Sequence, residues 1–551
     1  MPADPVSPAT PAPVRPRSRT AVALALCLLA APAGAQSTET DATQPMSAID
    51  WLSDSVAAPA PPVIVPLGPG GDEPPLVGEG AFGAETWTPT LGALPAVTVA
   101  PLDSLGTGVD SIGILAPAIT GLPAGLWGAA SPTDVARRIR AERPEMLPAL
   151  QALLQTILLA ELDPPRGAGG NESAVFFARV DKLLEMGALE PANALLERAP
   201  ADNTEVFRRH FDVALLLGEE QPLCEKLSQS PQLSPTYQAR IFCLARAGDW
   251  SGASLLLGTG TALGLIGEAD ADLFARFLDP DLFEDQPPLE VPLQPTPLTF
   301  RMYEAIGQAI PTQGLPLAFA HSDLRPNIGW KARIEAGERL ARTGAVTDNQ
   351  LYGLYSERQP AASGGVWDRV AALQSVEAAL ETGATDKAAA AVERLWGELS
   401  AARVEVPISR VLGPDLARLG LDGEAGRIAL HMALLSDDYE AQAVAAAPDD
   451  PRDALLTAIA RGLVAAPAPG DEAARSVVEG FAAAGPPARL AALVEEDRLG
   501  EAILRAITLL AEGTSGDLDQ VTDALALLRS VGLEDTARRT ALEFLILDRR
   551  G

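Results

Sequence analysis

The stretch ARAGDWSGASLLL, residues 245–257, ends one apolar helical pattern at a glycine and begins a second pattern a few residues later. Two earlier stretches have the same layout, LEMGALEPANALL at 184–196 and LLLGEEQPLCEKL at 215–227. The three align on Gly187, Gly218 and Gly248, which are 31 and 30 residues apart. A unit that recurs at so regular a period, with a helix-ending glycine each time, predicts tandem helical hairpins.

Each position of this unit has a physical reason. The glycine takes the left-handed backbone conformation that ends a helix, which other residues adopt only with steric strain. Pro191 and Pro222 follow four residues later, where the first turn of the next helix needs no backbone N–H. Five residues after the glycine, Ala192 and Ala253 are small, and a leucine follows four positions further along the same helix face. We expect that face to pack against the preceding helix.

The spacing of glycine and alanine resembles the turn between the two helices of a tetratricopeptide repeat, and GDWSGA at 248–253 is close to the Gly-Asp-aromatic-x-x-Ala of that family. Within this resemblance Gly248 is the turn glycine, Trp250 is the packing aromatic and Ala253 is the small residue where the helices touch. The period is shorter than the family's usual length of about thirty-four residues, so the likeness is to degenerate hairpins. The resemblance implies an α-solenoid whose concave groove binds protein or peptide ligands.

Weaker copies of the unit run to the end of the sequence. Their turn glycines are Gly344, Gly383, Gly420 and Gly532. A Pro-rich, acidic stretch, DPDLFEDQPPLEVPLQPTPLTF at 279–300, separates these copies from the first three and predicts a joint. We therefore predict an all-α chain, an α-solenoid of tetratricopeptide-like hairpins in two blocks, the first at 131–278 and the second at 301–551.

The beginning of the sequence has a different character. A basic segment, the apolar run AVALALCLLAA at 21–31 and small residues ending at Ala35 have the layout of a cleavable signal peptide over 1–35. The stretch 36–85 is rich in Pro and Gly and is predicted to be a disordered linker. The only charged residues in the sequence 86–130 are two aspartates. We therefore predict that this stretch is an extended arm that packs on the helical body. Cleavage near Ala35 predicts a periplasmic or secreted protein.

The charge of the chain narrows the partners that it can have. It contains 73 acidic and 42 basic residues, for a formal net charge of −31. Nucleic acids and anionic lipid surfaces are polyanions that such a chain repels, so a basic protein or peptide is favoured instead. No transmembrane segment is predicted, because no later run reaches the roughly twenty apolar residues of a spanning helix. Contact of residues 86–130 with a membrane surface is the minor alternative.

Two cysteines, Cys224 and Cys243, follow the predicted signal peptide. An exported protein can form disulfides, because its compartment is oxidising. Both cysteines fall on adjacent predicted antiparallel helices, but they are about one helical turn out of level. A bridge needs Cα atoms within about 7 Å. The sequence therefore leaves open whether the two cysteines are bonded.

Side chains that carry catalysis or bind metals are sparse. The three histidines, His210, His321 and His431, form no His-x-x-Glu-His or paired-ligand pattern, and a Cys/His zinc site would need ligands that the sequence lacks. The segment GEGAFG at 78–83 matches the Gly-x-Gly-x-x-Gly motif of dinucleotide-binding proteins. Prolines flank it on both sides, however, where that motif needs a strand and a helix. We predict no catalytic residue, no metal and no cofactor.

These observations favour a non-catalytic periplasmic scaffold that binds another envelope protein through a helical-repeat groove. The alternative is an enzyme acting on cell-wall glycan, with carboxylates or His321 inside a helical ring. The enzyme would have a deep pocket with at least two converging acids or a histidine of shifted pKa. The scaffold would have an open groove with dispersed acids.

Overall fold

The computed structural model of the chain describes residues 108–169, 173–233, 236–464, 467, 470–514 and 516–547. The predicted signal peptide (1–35), the predicted linker (36–85) and the start of the predicted arm (86–107) lie outside these ranges. Within the described ranges the protein is all-helical, and the one β-type contact is an isolated bridge between Leu115 and Ala160. The prediction of an all-α fold is confirmed.

The first eleven α-helices are α1 (Pro117–Thr120), α2 (Pro132–Ala141), α3 (Pro148–Leu159), α4 (Ala174–Glu185), α5 (Leu189–Glu197), α6 (Thr204–Leu217), α7 (Gln221–Gln229), α8 (Tyr237–Arg246), α9 (Trp250–Ala262), α10 (Glu268–Leu278) and α11 (Pro297–Ala305). They are followed by α12 (Trp330–Ala341), α13 (Asp348–Ser356), α14 (Val366–Thr382), α15 (Thr385–Ala402), α16 (Glu405–Arg418), α17 (Gly423–Leu434), α18 (Tyr439–Ala445), α19 (Pro451–Ala460), α20 (Glu472–Ala482), α21 (Ala488–Glu495), α22 (Leu499–Gly513), α23 (Leu518–Ser530) and α24 (Glu534–Ile546). Short 3-10 helices lie at Val109–Ser111, Pro231–Leu233, Pro280–Phe283, Thr312–Gly314 and Leu317–Leu324.

The turn glycines of the repeating unit lie between consecutive helices. Positive φ angles are found at Gly187, Gly218, Gly248, Gly344, Gly383, Gly420 and Gly532. The small residues five positions after a turn glycine are buried, namely Ala192, Ala253, Ala388, Ala425 and Ala537. At Gly187 a side chain is excluded twice over, because φ is +76° and an added Cβ would lie 2.9 Å from side-chain atoms of Leu317 and Leu340.

The described end of the predicted arm, residues 108–130, runs across α3, α4 and α22. The buried Asp110 carboxylate accepts a hydrogen bond from the Phe176 N–H at the start of α4, at 2.7 Å. Near the other end, the Leu126 carbonyl accepts from the Gly500 N–H of α22 at 2.8 Å. Trp127 is fully buried there, and a Cβ added to Gly500 would lie 2.5 Å from its ring. This segment therefore ties helices from both ends of the described chain together.

The N-terminal helices α2 and α3 also pack directly against the C-terminal helices α22 and α24. Arg138 of α2 donates to Glu501 of α22 at 2.9 Å. Glu543 of α24 accepts from the Ala149 N–H at 2.9 Å, so a distant carboxylate caps the first turn of α3. Helices far apart in sequence therefore share buried polar contacts as well as apolar ones.

The apolar core forms two clusters. Buried apolar side chains larger than alanine in 122–319 share one cluster with those of 434–547, whereas those of 320–432 form the second, apart from Val406. The predicted joint at 279–300 therefore does not mark the place where the core divides. Among the described helices, none combines the length and the apolar character that crossing a membrane requires.

Candidate functional site

A groove of about 670 Å³ opens where α8, α10 and α11 meet the Pro-rich stretch that precedes α11. We call it the α8–α11 groove. Its walls are formed by Thr236–Gln238, Leu265, Ala269, Asp270, Leu273, Phe274, Glu290–Gln294, Thr296, Leu298, Thr299 and Tyr303. The floor is apolar, because Leu273, Phe274 and Leu298 belong to the buried core.

One wall of the groove is a Pro-rich stretch of chain without secondary structure. Its sequence, QPPLEVPLQPTP at 286–297, has a proline at 287, 288, 292, 295 and 297. Proline fixes φ near −65° and removes a backbone donor, so the stretch forms neither a helix nor a strand until α11 begins. Among the hydrogen bonds of the described residues, none is made by the backbone of 291–294. That backbone edge is therefore open to the groove.

Three hydrogen bonds hold the beginning of this wall against its neighbouring helices. They run from Arg276 to the Pro287 carbonyl at 2.8 Å, from the Leu289 N–H to Gln308 Oε1 at 3.0 Å, and from the Tyr303 hydroxyl to the Glu290 carbonyl. Both α10 and the end of α11 take part, so the wall keeps its position although it has no secondary structure of its own.

Large apolar side chains are exposed around the groove. Leu293 is 84% exposed, and Val291 and Leu265 also face solvent. Of the twelve exposed large hydrophobic residues that the described chain presents, seven fall within 250–293. They are Trp250, Leu255, Leu263, Leu265, Leu282, Val291 and Leu293. Scattered exposed leucines are ordinary, but a concentration of this kind is typical of a surface that contacts a partner.

The groove lies in an acidic part of the chain. Residues 268–290 contain eight acidic side chains and a single basic one, Arg276. At the wall, Asp270 accepts a hydrogen bond from Gln238 of α8 at 3.1 Å. Burial raises the pKa of the Tyr303 hydroxyl; Arg276 acts in the opposite direction, and the charges of Asp270 and Glu290 raise the pKa further. The local field therefore favours positive charge.

The structure places Cys224 and Cys243 in contact. Cys224 of α7 and Cys243 of α8 are joined by a disulfide with Cα atoms 5.0 Å apart. Because the first residues of α8 line the groove, the bond fixes one groove helix to its neighbour. Trp250, at the start of α9, packs its half-exposed ring against Phe277 of α10, with centroids 6.1 Å apart.

The turn residues predicted from the sequence do not converge on one site. Each turn glycine lies between two consecutive helices, whereas Ala192 lies in α5 and Trp250 and Ala253 lie in α9, and none of these residues lines the groove. The sequence predicted a joint at 279–300 and did not predict that part of this stretch forms a wall of the groove. Alternating apolar residues between the prolines, together with the eight acids of 268–290, are the signal that could have pointed to it.

Two of the histidines, His321 and His431, make buried hydrogen bonds within the fold. His321 is buried, its Nε2 lies 2.6 Å from the Gly187 carbonyl, and burial lowers its pKa to about 4. The ring is therefore a neutral donor that holds the α4–α5 turn. His431 of α17 pairs with Asp453 of α19 at 2.7 Å, and both are buried. Within the described ranges, no group of His, Cys, Asp and Glu side chains is arranged to hold a metal ion.

No protein-family model matches the chain, and neither do the curated proteins or the solved structures compared with it. The chemistry of the α8–α11 groove is thus the observation from which a function can be inferred.

Proposed function

We propose that the protein is an exported, non-catalytic scaffold that binds an extended segment of another envelope protein in the α8–α11 groove. The bound segment carries apolar side chains and at least one lysine or arginine. The observation that carries the proposal is the presence, in one groove, of exposed apolar side chains, an unpaired backbone edge and carboxylates.

The apolar part of the groove supports an extended ligand. Burying a leucine side chain such as that of Leu293 stabilises a complex by roughly 1.5–3 kcal/mol before entropy is deducted. The backbone of 291–294 lies beside it, bends at Leu293 and Gln294, and makes none of the hydrogen bonds found among the described residues. Because Pro292 has no N–H, a ligand would pair in strand fashion with Val291 and Leu293. Apolar ligand residues at alternate positions would then face the groove floor.

The charge of the groove supports a basic ligand. Asp270 and Glu290 line the walls, and Arg276 is the one basic residue between 268 and 290. A lysine or arginine of the ligand would complement these carboxylates. The attraction would act at long range, since the whole chain carries a formal net charge of −31.

Export and a tetratricopeptide-like solenoid belong to the same proposal. A periplasmic or secreted location is supported by the leader pattern over 1–35 and by the Cys224–Cys243 bond, which needs an oxidising compartment. The solenoid, preceded by an extended arm, is supported by the turn glycines of positive φ and by the buried alanines that follow them. A non-catalytic role is supported by His321, whose shifted pKa follows from burial around a structural hydrogen bond.

Peptide display on the purified chain tests the proposal. From random peptides of about twelve residues, we expect selection of sequences with apolar residues at alternate positions and a lysine or arginine. Leu293→Asp and Asp270→Asn should each lower the affinity of the chain for the selected peptides about tenfold, which corresponds to about 1.4 kcal/mol. Added salt should lower the affinity for these peptides as well, because it screens the attraction between opposite charges.

The matched control for Leu293→Asp is Val444→Asp, since Val444 is also an exposed apolar residue but lies on α18. It should leave peptide affinity unchanged. Selection of acidic peptides, or affinity that is indifferent to Leu293→Asp, would contradict the proposed function.

A further inference from the structure

Glu142 is a buried carboxyl group where helices from the two ends of the described chain meet. It follows α2 directly and is 4% exposed. Its Oε1 atom lies 2.9 Å from the hydroxyl oxygen of Thr508 on α22, a residue 366 positions away. Its Oε2 atom is also buried and has no hydrogen-bond partner among the residues that the structure describes. A buried carboxylate oxygen without a donor is costly, so these surroundings fit the neutral acid better than the ion.

The hydroxyl of Thr508 also fits a protonated Glu142. The hydroxyl oxygen lies 2.9 Å from Glu142 Oε1 and 3.1 Å from the carbonyl oxygen of Leu504, one turn earlier in α22. A threonine hydroxyl has one hydrogen and can donate it to only one of these two acceptors. When Glu142 is protonated, its own O–H donates to the Thr508 oxygen, and Thr508 donates to the Leu504 carbonyl. The neutral acid therefore satisfies both short contacts at once.

The positive charges near Glu142 are already paired with other carboxylates. Lys182 of α4 has a fully buried side chain, and its ammonium forms an ion pair with Glu185 at 2.5 Å. The same ammonium donates to the backbone carbonyl of Glu142, also at 2.5 Å, and not to its carboxyl group. Arg138 of α2 is paired with Glu501 of α22 at 2.8 Å. A negative charge on Glu142 would therefore have no cation of its own.

The balance of these effects places the titration of Glu142 near neutral pH. Burial raises the pKa of its carboxyl group from 4.5 to about 7; Thr508, Lys182 and Arg138 act in the opposite direction, and the charge of Glu512 on α22 raises the pKa further. A carboxyl group exposed by opening of this contact would have the ordinary pKa. Between the two values the closed contact therefore binds a proton that the open one does not. The contact is strongest below about pH 4.5 and weakens as the pH rises to about 7.

We propose that Glu142 is a pH switch: in its protonated form it holds α22 against α2 and α3, and its ionisation lets α22 move away. The carboxylate then exchanges its contact with Thr508 for hydration by solvent. Helix α22 also carries Gly500, against which the buried Trp127 ring packs, so its movement loosens the described segment 108–130 as well. This inference does not depend on the ligand proposed for the groove.

Amide hydrogen exchange of the purified full chain between about pH 5 and pH 8 tests the switch. The rates are corrected for the pH dependence of the chemical exchange step, so that they report the opening equilibrium of each segment. The opening equilibrium of 499–513 should rise with pH by a factor on the order of 50–100, because the closed and open contacts bind the proton with different pKa values. Helix α14, whose buried residues belong to the second core cluster, should show no such rise.

The variant Glu142→Gln tests whether this carboxyl group is responsible. Glutamine has the shape of the protonated acid, can donate to Thr508 and does not titrate. At pH 8 its 499–513 segment should therefore exchange more slowly than that of the parent chain, whereas a poorly folded variant would exchange faster at every pH. The control is Glu512→Gln, which removes an exposed carboxylate from α22 itself. It should keep the pH dependence, with a midpoint at slightly lower pH.

Three results would overturn the proposal. They are exchange in 499–513 of the parent chain that does not change with pH, the same pH dependence in Glu142→Gln as in the parent chain, and an equal rise in α14, which would indicate opening of the whole fold. His321 is not the source of the expected rise, because its pKa is lowered by burial and its protonation weakens the fold as the pH falls.

Discussion

Gly187 is the residue at which local and long-range structure depend most closely on each other. Its φ of +76° ends the first hairpin turn, and its carbonyl accepts the His321 hydrogen bond from 134 residues away. The sequence predicted the turn, because a glycine between two helical patterns is a local signal. It could not predict His321 as the partner, since that contact depends on how distant segments dock.

Substitution of two turn glycines separates backbone strain from packing. Gly187→Ala should lower the free energy of unfolding by about 2–4 kcal/mol, because positive φ and the contact with Leu317 and Leu340 both oppose a Cβ. Gly248→Ala should lower it by about 1 kcal/mol, since Gly248 has a positive φ but open space around it. Urea denaturation of both variants measures the difference. Equal losses would contradict the packing described around Gly187.

The buried His321 also makes stability depend on pH. Its pKa is lowered from 6.5 to about 4 in the fold, so between these values the unfolded chain binds a proton that the native chain does not. Stability that is fully present above pH 6.5 is therefore lost as the pH falls towards 4. The loss attributable to His321 is about 3 kcal/mol.

The variant His321→Gln tests this pH dependence, because glutamine keeps a donor for the Gly187 carbonyl but does not titrate. Its free energy of unfolding should fall less steeply between pH 6.5 and 4 than that of the parent chain. Burial also lowers the pKa of His210 to about 4, but His210 contributes equally to the pH dependence of stability in both proteins. Parallel pH profiles for the two proteins would show that His321 is not protected from protonation.

At the scale of elements, the groove depends on three helices, α8, α10 and α11, and on a stretch without secondary structure. The Pro-rich, acidic composition of 279–300 predicted a joint between two helical blocks. The surface on which that stretch lies was not predictable, since the anchors Arg276, Gln308 and Tyr303 act through hydrogen bonds with no sequence pattern. The positions of the helices were easier to predict, because the same turn glycine recurs between the predicted helices of each hairpin.

The disulfide between α7 and α8 should stabilise the groove side of the molecule. It closes a loop with a sequence separation of 19, for which the chain-entropy treatment gives about 3 kcal/mol. The double variant Cys224→Ala, Cys243→Ala should therefore unfold at lower urea concentration by that amount. Reductant should destabilise the parent chain and leave the double variant unchanged. The unreduced, denatured parent chain should have one titratable thiol, that of Cys27, and three titratable thiols would show that the bond is not formed.

At the scale of the whole described chain, helices from its two ends are held together near Trp127. The repeating unit gave no sign of this contact, since α22 lies some 370 residues from Trp127 and no periodicity links them. The fully buried ring packs against Gly500, and the adjacent Leu126 carbonyl binds the Gly500 N–H. This part of the fold depends on docking, which local patterns do not encode.

Trp127→Ala should loosen both ends at once. Loss of a buried tryptophan costs about 3–5 kcal/mol. Amide hydrogen exchange should rise in 108–130 and also in 499–513, because the ring is shared by the two segments. Leu463→Ala, which truncates an exposed side chain, is the control and should change neither segment. Faster exchange confined to 108–130 would mean that α22 does not rely on this contact.

The most direct test of the proposed groove is photocrosslinking in the cells that make the protein. A photoreactive residue in place of Leu293 should attach to one protein partner, and the crosslinked peptide should be an apolar segment containing lysine or arginine. The same residue in place of Ile119 should not attach to that peptide, because Ile119 is exposed on α1, away from the groove lining. An acidic peptide, a glycan fragment or equal crosslinking from both positions would contradict the central claim.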